Sequence, residues 1–138
     1  MRYPSISPWL PQPGDEEPEK LRDLCLHGLC SVFAIELNAR TGWPIAGLFA
    51  GYSRNDPPVH IVCVDPEGAY ADAAGRYRSF DALCAEYNLS GPRRAVTPVD
   101  AESMQNRFRR DPAWRSLIAK NFDEVFENSI GTSANASL

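Results

Sequence analysis

No stretch of this 138-residue chain holds the roughly 20 consecutive apolar side chains that a membrane-spanning helix needs, so no membrane span is expected. Basic charge is not in excess either. Fourteen Lys and Arg stand against 18 Asp and Glu, a net charge of -4, which argues against a nucleic-acid surface. The one basic cluster, Arg107 to Arg110, is short, is followed by Asp111 and reads as a solvated helix face. Met1-Arg2-Tyr3-Pro4 opens no apolar leader with a small-residue cleavage site, so a cytoplasmic protein is expected, unless a non-Sec system exports it. Histidine is scarce, with two residues, so any imidazole chemistry falls to His27 or His60.

The 43% of apolar and 23% of charged residues suit one globular domain with a single core. Four cysteines lie at positions 25, 30, 63 and 84, and without a secretory leader they are expected to be free thiols. Cys25, His27 and Cys30, with His60 and Cys63 beyond them, invite a zinc reading. The second pair falls inside a strand rather than a knuckle, however, and neither a metal nor another cofactor is expected.

The expected organisation is a flexible lead-in over 1–18, a domain over 19–128 and a flexible tail over 129–138. Pro4, Pro8, Pro11, Pro13 and Gly14 make the lead-in poor in regular structure. A helix is predicted from Pro18 to Leu26, ended by Gly28. A second runs from Cys30 to Arg40, with Cys30, Phe33, Ala34 and Leu37 on one apolar face, Glu36, Asn38 and Arg40 off it, and Gly42 at its end. Ile45 to Phe49 reads as a strand, and the loop from Gly51 to Pro58 as the rim of a cleft. Ser79 caps a helix from Phe80 to Tyr87 with Leu83 and Cys84 inward, Arg94 to Val99 reads as an edge strand, and Asp100 and Pro112 open C-terminal helices. Asn135-Ala136-Ser137 matches a glycosylation acceptor that carries little weight without a leader.

Between the strands Val59 to Val64 and Ala69 to Ala73 stands Asp65-Pro66-Glu67-Gly68, with proline placed for a type I turn and glycine for the left-handed bulge position. If Asp65 pairs with Ala69, His60 and Asp72 fall on one side of the hairpin, roughly 7–8 Å apart at the backbone. A loop of other parity puts them on opposite faces. Asp72 has a second reading as the cap of the turn before Gly75.

Cys30 then stands at a helix start, where unpaired N–H groups favour the thiolate, His60 is available to move its proton and Asp72 to orient the imidazole. Gly28-Leu29-Cys30-Ser31-Val32-Phe33 is similar to the Gly-Ser-Cys-Trp-Ala-Phe pattern of papain-type peptidases, matching at Gly28, Cys30 and Phe33. The histidine strand followed by an aspartate strand, His60-Ile61-Val62-Cys63-Val64 and Tyr70-Ala71-Asp72, resembles the transglutaminase and arylamine N-acetyltransferase branch of the papain-like fold. The resemblance covers Leu24 to Tyr87. It implies an α+β domain in which an N-terminal helix carrying the cysteine packs on a small antiparallel sheet, with C-terminal helices, as in minimal bacterial effector or toxin domains.

The function so implied is thiol-dependent acyl transfer by a peptidase, amidase or deamidase with the triad Cys30, His60 and Asp72, acting on a protein or peptide-like substrate with an amide carbonyl. The papain glutamine that completes the oxyanion hole falls at Leu24, so the donors are sought at the Cys30 and Leu29 amides or the His27 ring. Trp43 is either core or a wall of the cleft. Two alternatives are a non-catalytic protein-binding module on the same fold and a zinc-stabilised interaction domain.

Overall fold

The computed structural model describes residues 18–27, 29–51, 58–102, 104 and 112–125; the expected lead-in, tail, cleft-rim loop and basic cluster lie wholly or largely outside them. The elements in order are α1 (Pro18–His27), α2 (Cys30–Thr41), β1 (Ile45–Phe49), β2 (His60–Val64), β3 (Tyr70–Asp72), β4 (Gly75–Tyr77), α3 (Phe80–Glu86), β5 (Ala95–Pro98), α4 (Pro112–Lys120) and α5 (Phe122–Val125). The strands form one antiparallel sheet in the order β4-β3-β2-β1-β5. The class is α+β, with the cysteine-bearing α2 laid on a small sheet as expected.

Alternation along β2 divides the core into two layers. Ile61 and Cys63 join Leu21, Cys25, Phe33, Leu37, Trp114, Ile118 and Phe122, so this face of the sheet carries the α1, α2 and α4 layer. Val62 joins Ala46, Leu48, Leu83 and Cys84 in a smaller core with α3 residues. The Phe33 and Phe122 rings stack at 5.6 Å and fasten α5 to α2. Among the described residues no helix is long and apolar enough to cross a membrane.

Two local expectations change. The apolar stripe on α2 predicted an amphipathic helix, but every residue from Cys30 to Leu37 is buried, because the helix is enclosed by the sheet on one side and by α1 and α4 on others. Glu36 tolerates this position by pairing with Arg40 Nε at 2.9 Å and with Arg115 Nε at 3.1 Å. In addition, β4 was not foreseen. Asp72-Ala73-Ala74-Gly75 is a tight turn between two three-residue strands, too short to show a period in sequence.

The β2–β3 turn carries the predicted bulge. Asp65 N donates to Ala69 O at 2.9 Å, Gly68 N donates to Asp65 O at 3.0 Å, and Gly68 has φ 86°. Asp65 Oδ1 accepts from the Glu67 and Ala69 amides at 2.9 Å each, while its Oδ2 meets Arg76 at 3.1 Å. The turn residue therefore also ties β4 to the hairpin. Cys63 pairs with Ala71 and Val64 with Tyr70, and continuing that register sets Val62 opposite Asp72 and His60 opposite Ala74. A Cβ on Gly68 meets nothing within 4 Å, so Gly68→Val is opposed by backbone conformation alone. Its expected cost is about 1–2 kcal/mol in urea unfolding, more than for an exposed surface change and with slower thiol chemistry at Cys30 if the register slips.

Candidate active site

α2 begins at Cys30. Its N-cap residue Leu29 supplies no side-chain cap, and the first backbone bond runs from Phe33 N to Leu29 O at 2.9 Å. The amides of the first turn therefore lack intrahelical acceptors and place partial positive charge beside the thiol. Cys30 belongs to the helical layer. His60 has the parity of Val62 and so leans to the α3 side, at the point where β3 has already turned toward β4. The Cys30 thiol lies close enough to the imidazole for its charge to act on it, although His60 Nδ1 itself makes no hydrogen bond among the described residues.

His60 Nε2 lies 3.0 Å from Asp72 Oδ2 and 2.8 Å from the Tyr87 hydroxyl. That hydroxyl donates to Asp72 Oδ2 at 2.9 Å, and the Tyr87 ring lies 4.3 Å from the imidazole between centroids. Asp72 Oδ1 accepts from the Ala74 amide at 2.9 Å. The two sequence readings of Asp72 are both realised, one by each oxygen: Oδ1 caps the turn and Oδ2 holds the histidine. Nδ1 of His60 is buried and has no hydrogen-bond partner among the described residues.

Cys30, His60 and Asp72 are each 1% exposed. Burial by itself pulls the His60 pKa down, but the hydrogen bond to Asp72, the contact with Cys30 and the negative charges of both lift it to about 9. The imidazolium is thus favoured at neutral pH. The remaining thiols differ. Burial pushes Cys63 up to about 12, and its S–H donates to Ala34 O at 3.4 Å. Cys25 is held far above the ordinary thiol range by burial and then by the charge of Cys30. Both are core thiols, as expected from their positions.

Among the expected oxyanion donors, the Leu29 amide is already engaged with Leu24 O at 2.7 Å, which leaves the Cys30 amide. The His27 side chain lies outside the described residues. Trp43, expected as core or cleft wall, packs half-buried against the main core just after α2 and carries the Arg76 guanidinium 4.9 Å above its ring. Tyr87 is the site residue that sequence reasoning missed. The chain marks it as the last residue of a short helix, and only the docking of α3 on the sheet turns it toward His60. Tyr77 stands near it, and burial together with the charge of Asp72 holds its hydroxyl well above the ordinary phenol range. Among the described residues no three His, Cys, Asp or Glu side chains converge to hold a metal ion.

In comparisons with known proteins, no family model, no curated protein and no solved structure matches this chain.

Proposed function

We propose that this domain is a thiol-dependent acyl-transfer enzyme with Cys30 as nucleophile, His60 as acid–base and Asp72 as the residue that orients the imidazole. The observation that carries the reading is the coupling of one buried imidazole to a helix-start thiol on one side and to a carboxylate at 3.0 Å on the other. Cys30 Sγ forms a bond to the carbonyl carbon while the Cys30 amide faces the developing oxyanion. The imidazolium gives its proton to the departing amine or alcohol as the bond to carbon breaks. His60 then takes a proton from water or an incoming amine, which displaces the thiol and regenerates the free enzyme. With water this is a peptidase, amidase or deamidase acting on a peptide-like amide; with an amine it is a transferase. The papain-like and transglutaminase-like resemblance supports the same chemistry.

Incubation with p-nitrophenyl acetate tests it. Release of nitrophenolate together with an acetyl thioester mapped to Cys30 is the expected result, and Cys30→Ala should abolish both. Iodoacetamide should likewise modify Cys30 ahead of Cys25 and Cys63. Faster labelling of either core thiol in the folded protein would sink the assignment.

A second reading draws on the 1% exposure of all three side chains. It makes the domain a non-catalytic protein-binding module whose Cys30, His60 and Asp72 are a hydrogen-bonded core. A protein that neither releases nitrophenolate nor accepts acetyl at Cys30 while remaining folded would establish that alternative.

A further inference from the structure

Nε2 of His60, Oδ2 of Asp72 and the hydroxyl oxygen of Tyr87 form a closed triangle with sides of 3.0, 2.9 and 2.8 Å. Two protons at most are available to its three sides: the phenolic one, and one on Nε2. Suppose Nε2 carried none and Tyr87 turned its hydroxyl toward it. Oδ2 would then face two lone-pair atoms within hydrogen-bonding distance and no proton between, in a place 1% exposed where water does not compensate. With a proton on Nε2, every side is satisfied. The phenol donates to Oδ2, and the Nε2–H is shared between Oδ2 and the phenol oxygen.

Asp72 is poorly placed to enforce this alone, since its other oxygen is committed to the Ala74 amide. Tyr87 adds a second acceptor for the same N–H and a ring face against which the imidazole rests. We propose that Tyr87 is a positioning residue that fixes the His60 tautomer, so that the neutral imidazole carries its proton on Nε2 and turns the Nδ1 lone pair to the Cys30 thiol. Its consequence for catalysis rests on the acyl-transfer reading, whereas the tautomer is measurable by itself.

Long-range ¹⁵N–¹H spectra of histidine-labelled protein, recorded above the His60 titration, provide the test. The chain has two histidines, so His27→Gln assigns the pair. In the wild-type protein Nε2 should show the protonated and Nδ1 the unprotonated shift. Tyr87→Phe keeps the ring and removes the hydroxyl; both nitrogens should then move toward intermediate shifts, and Cys30 alkylation should slow by about tenfold, the factor one ordinary hydrogen bond carries. A wild-type spectrum with the proton on Nδ1 overturns the proposal, and so does a Tyr87→Phe spectrum with an unchanged pattern, even if alkylation slows, since loss of packing alone would do that. A Cys30 that takes no acetyl group in a protein whose spectra behave as expected would overturn the enzyme reading and support the assignment of Tyr87.

Discussion

His60→Ala is expected to slow acetylation of Cys30 by about 10²- to 10⁴-fold, the range that a positioned acid–base supplies. Its pH dependence follows from the pKa near 9. With an anilide substrate such as p-nitroacetanilide, whose departing amine needs the imidazolium's proton, the wild-type rate should hold through neutral pH and fall as pH rises through about 9, while the residual rate of His60→Ala should lack that limb. Asp72→Asn should cost less than His60→Ala, because Tyr87 still accepts the Nε2–H. It should also carry the alkaline limb to lower pH, since the carboxylate is a principal force raising the pKa against burial. Stability moves with the same sign: a histidine raised above its unfolded value near 6.5 contributes fully below that pH and loses its contribution as pH climbs through about 9. Urea titrations of wild type and His60→Ala at several pH values would show the gap closing over that window. A limb that stays in place in Asp72→Asn would remove the aspartate from the electrostatics of the site.

The hairpin was legible because its register is set locally. Asp65, Pro66 and Gly68 define a bulged three-residue loop, and the period of two along each strand then fixes which side chains share a face. His60 and Asp72 were brought together by that counting alone. The same held for Cys30, marked by the apolar helix that starts there, and for β5, where Pro98 could stand only at an edge. What failed depended on how elements pack on one another. α2 looked half-exposed because its polar Glu36 fits an amphipathic pattern, but two arginines, one of them 79 residues away, make that carboxylate tolerable inside. Trp43 carried no signal in sequence to separate core from cleft wall, and its packing against the main core depends on how α2 and the sheet meet. Tyr87 has no signature at all: the distance to His60 is made by seating α3 on the sheet face opposite α2, which no local rule specifies.

Gly51→Ala is expected to be the most damaging single-methyl change in the fold, at about 2–5 kcal/mol, combining left-handed strain with overpacking. Gly51 leaves β1 with φ 86°, and a Cβ there would run into the backbone of Arg93 and Arg94. The opposing segment is equally tight, because a Cβ on Gly91 would strike the carbonyl of Ala50. Between them Arg93 N donates to Gly51 O at 3.3 Å and Arg94 N to Gly91 O at 3.2 Å, so two backbones lie against each other just before β5 joins β1. Neither chain can yield by rotating a side chain. Gly68 supplies the control, since its φ is also 86° but a Cβ there meets open space. Gly68→Ala should therefore register the conformational strain alone, Gly91→Ala the collision, and Gly51→Ala both. With urea slopes of about 1–3 kcal/mol per molar, the Gly51→Ala midpoint should fall by about one molar or more. Equal midpoints for Gly51→Ala and Gly68→Ala would mean that the two backbones do not touch in solution, and β5 would then lose its mount beside the strand that pairs Leu48 with His60.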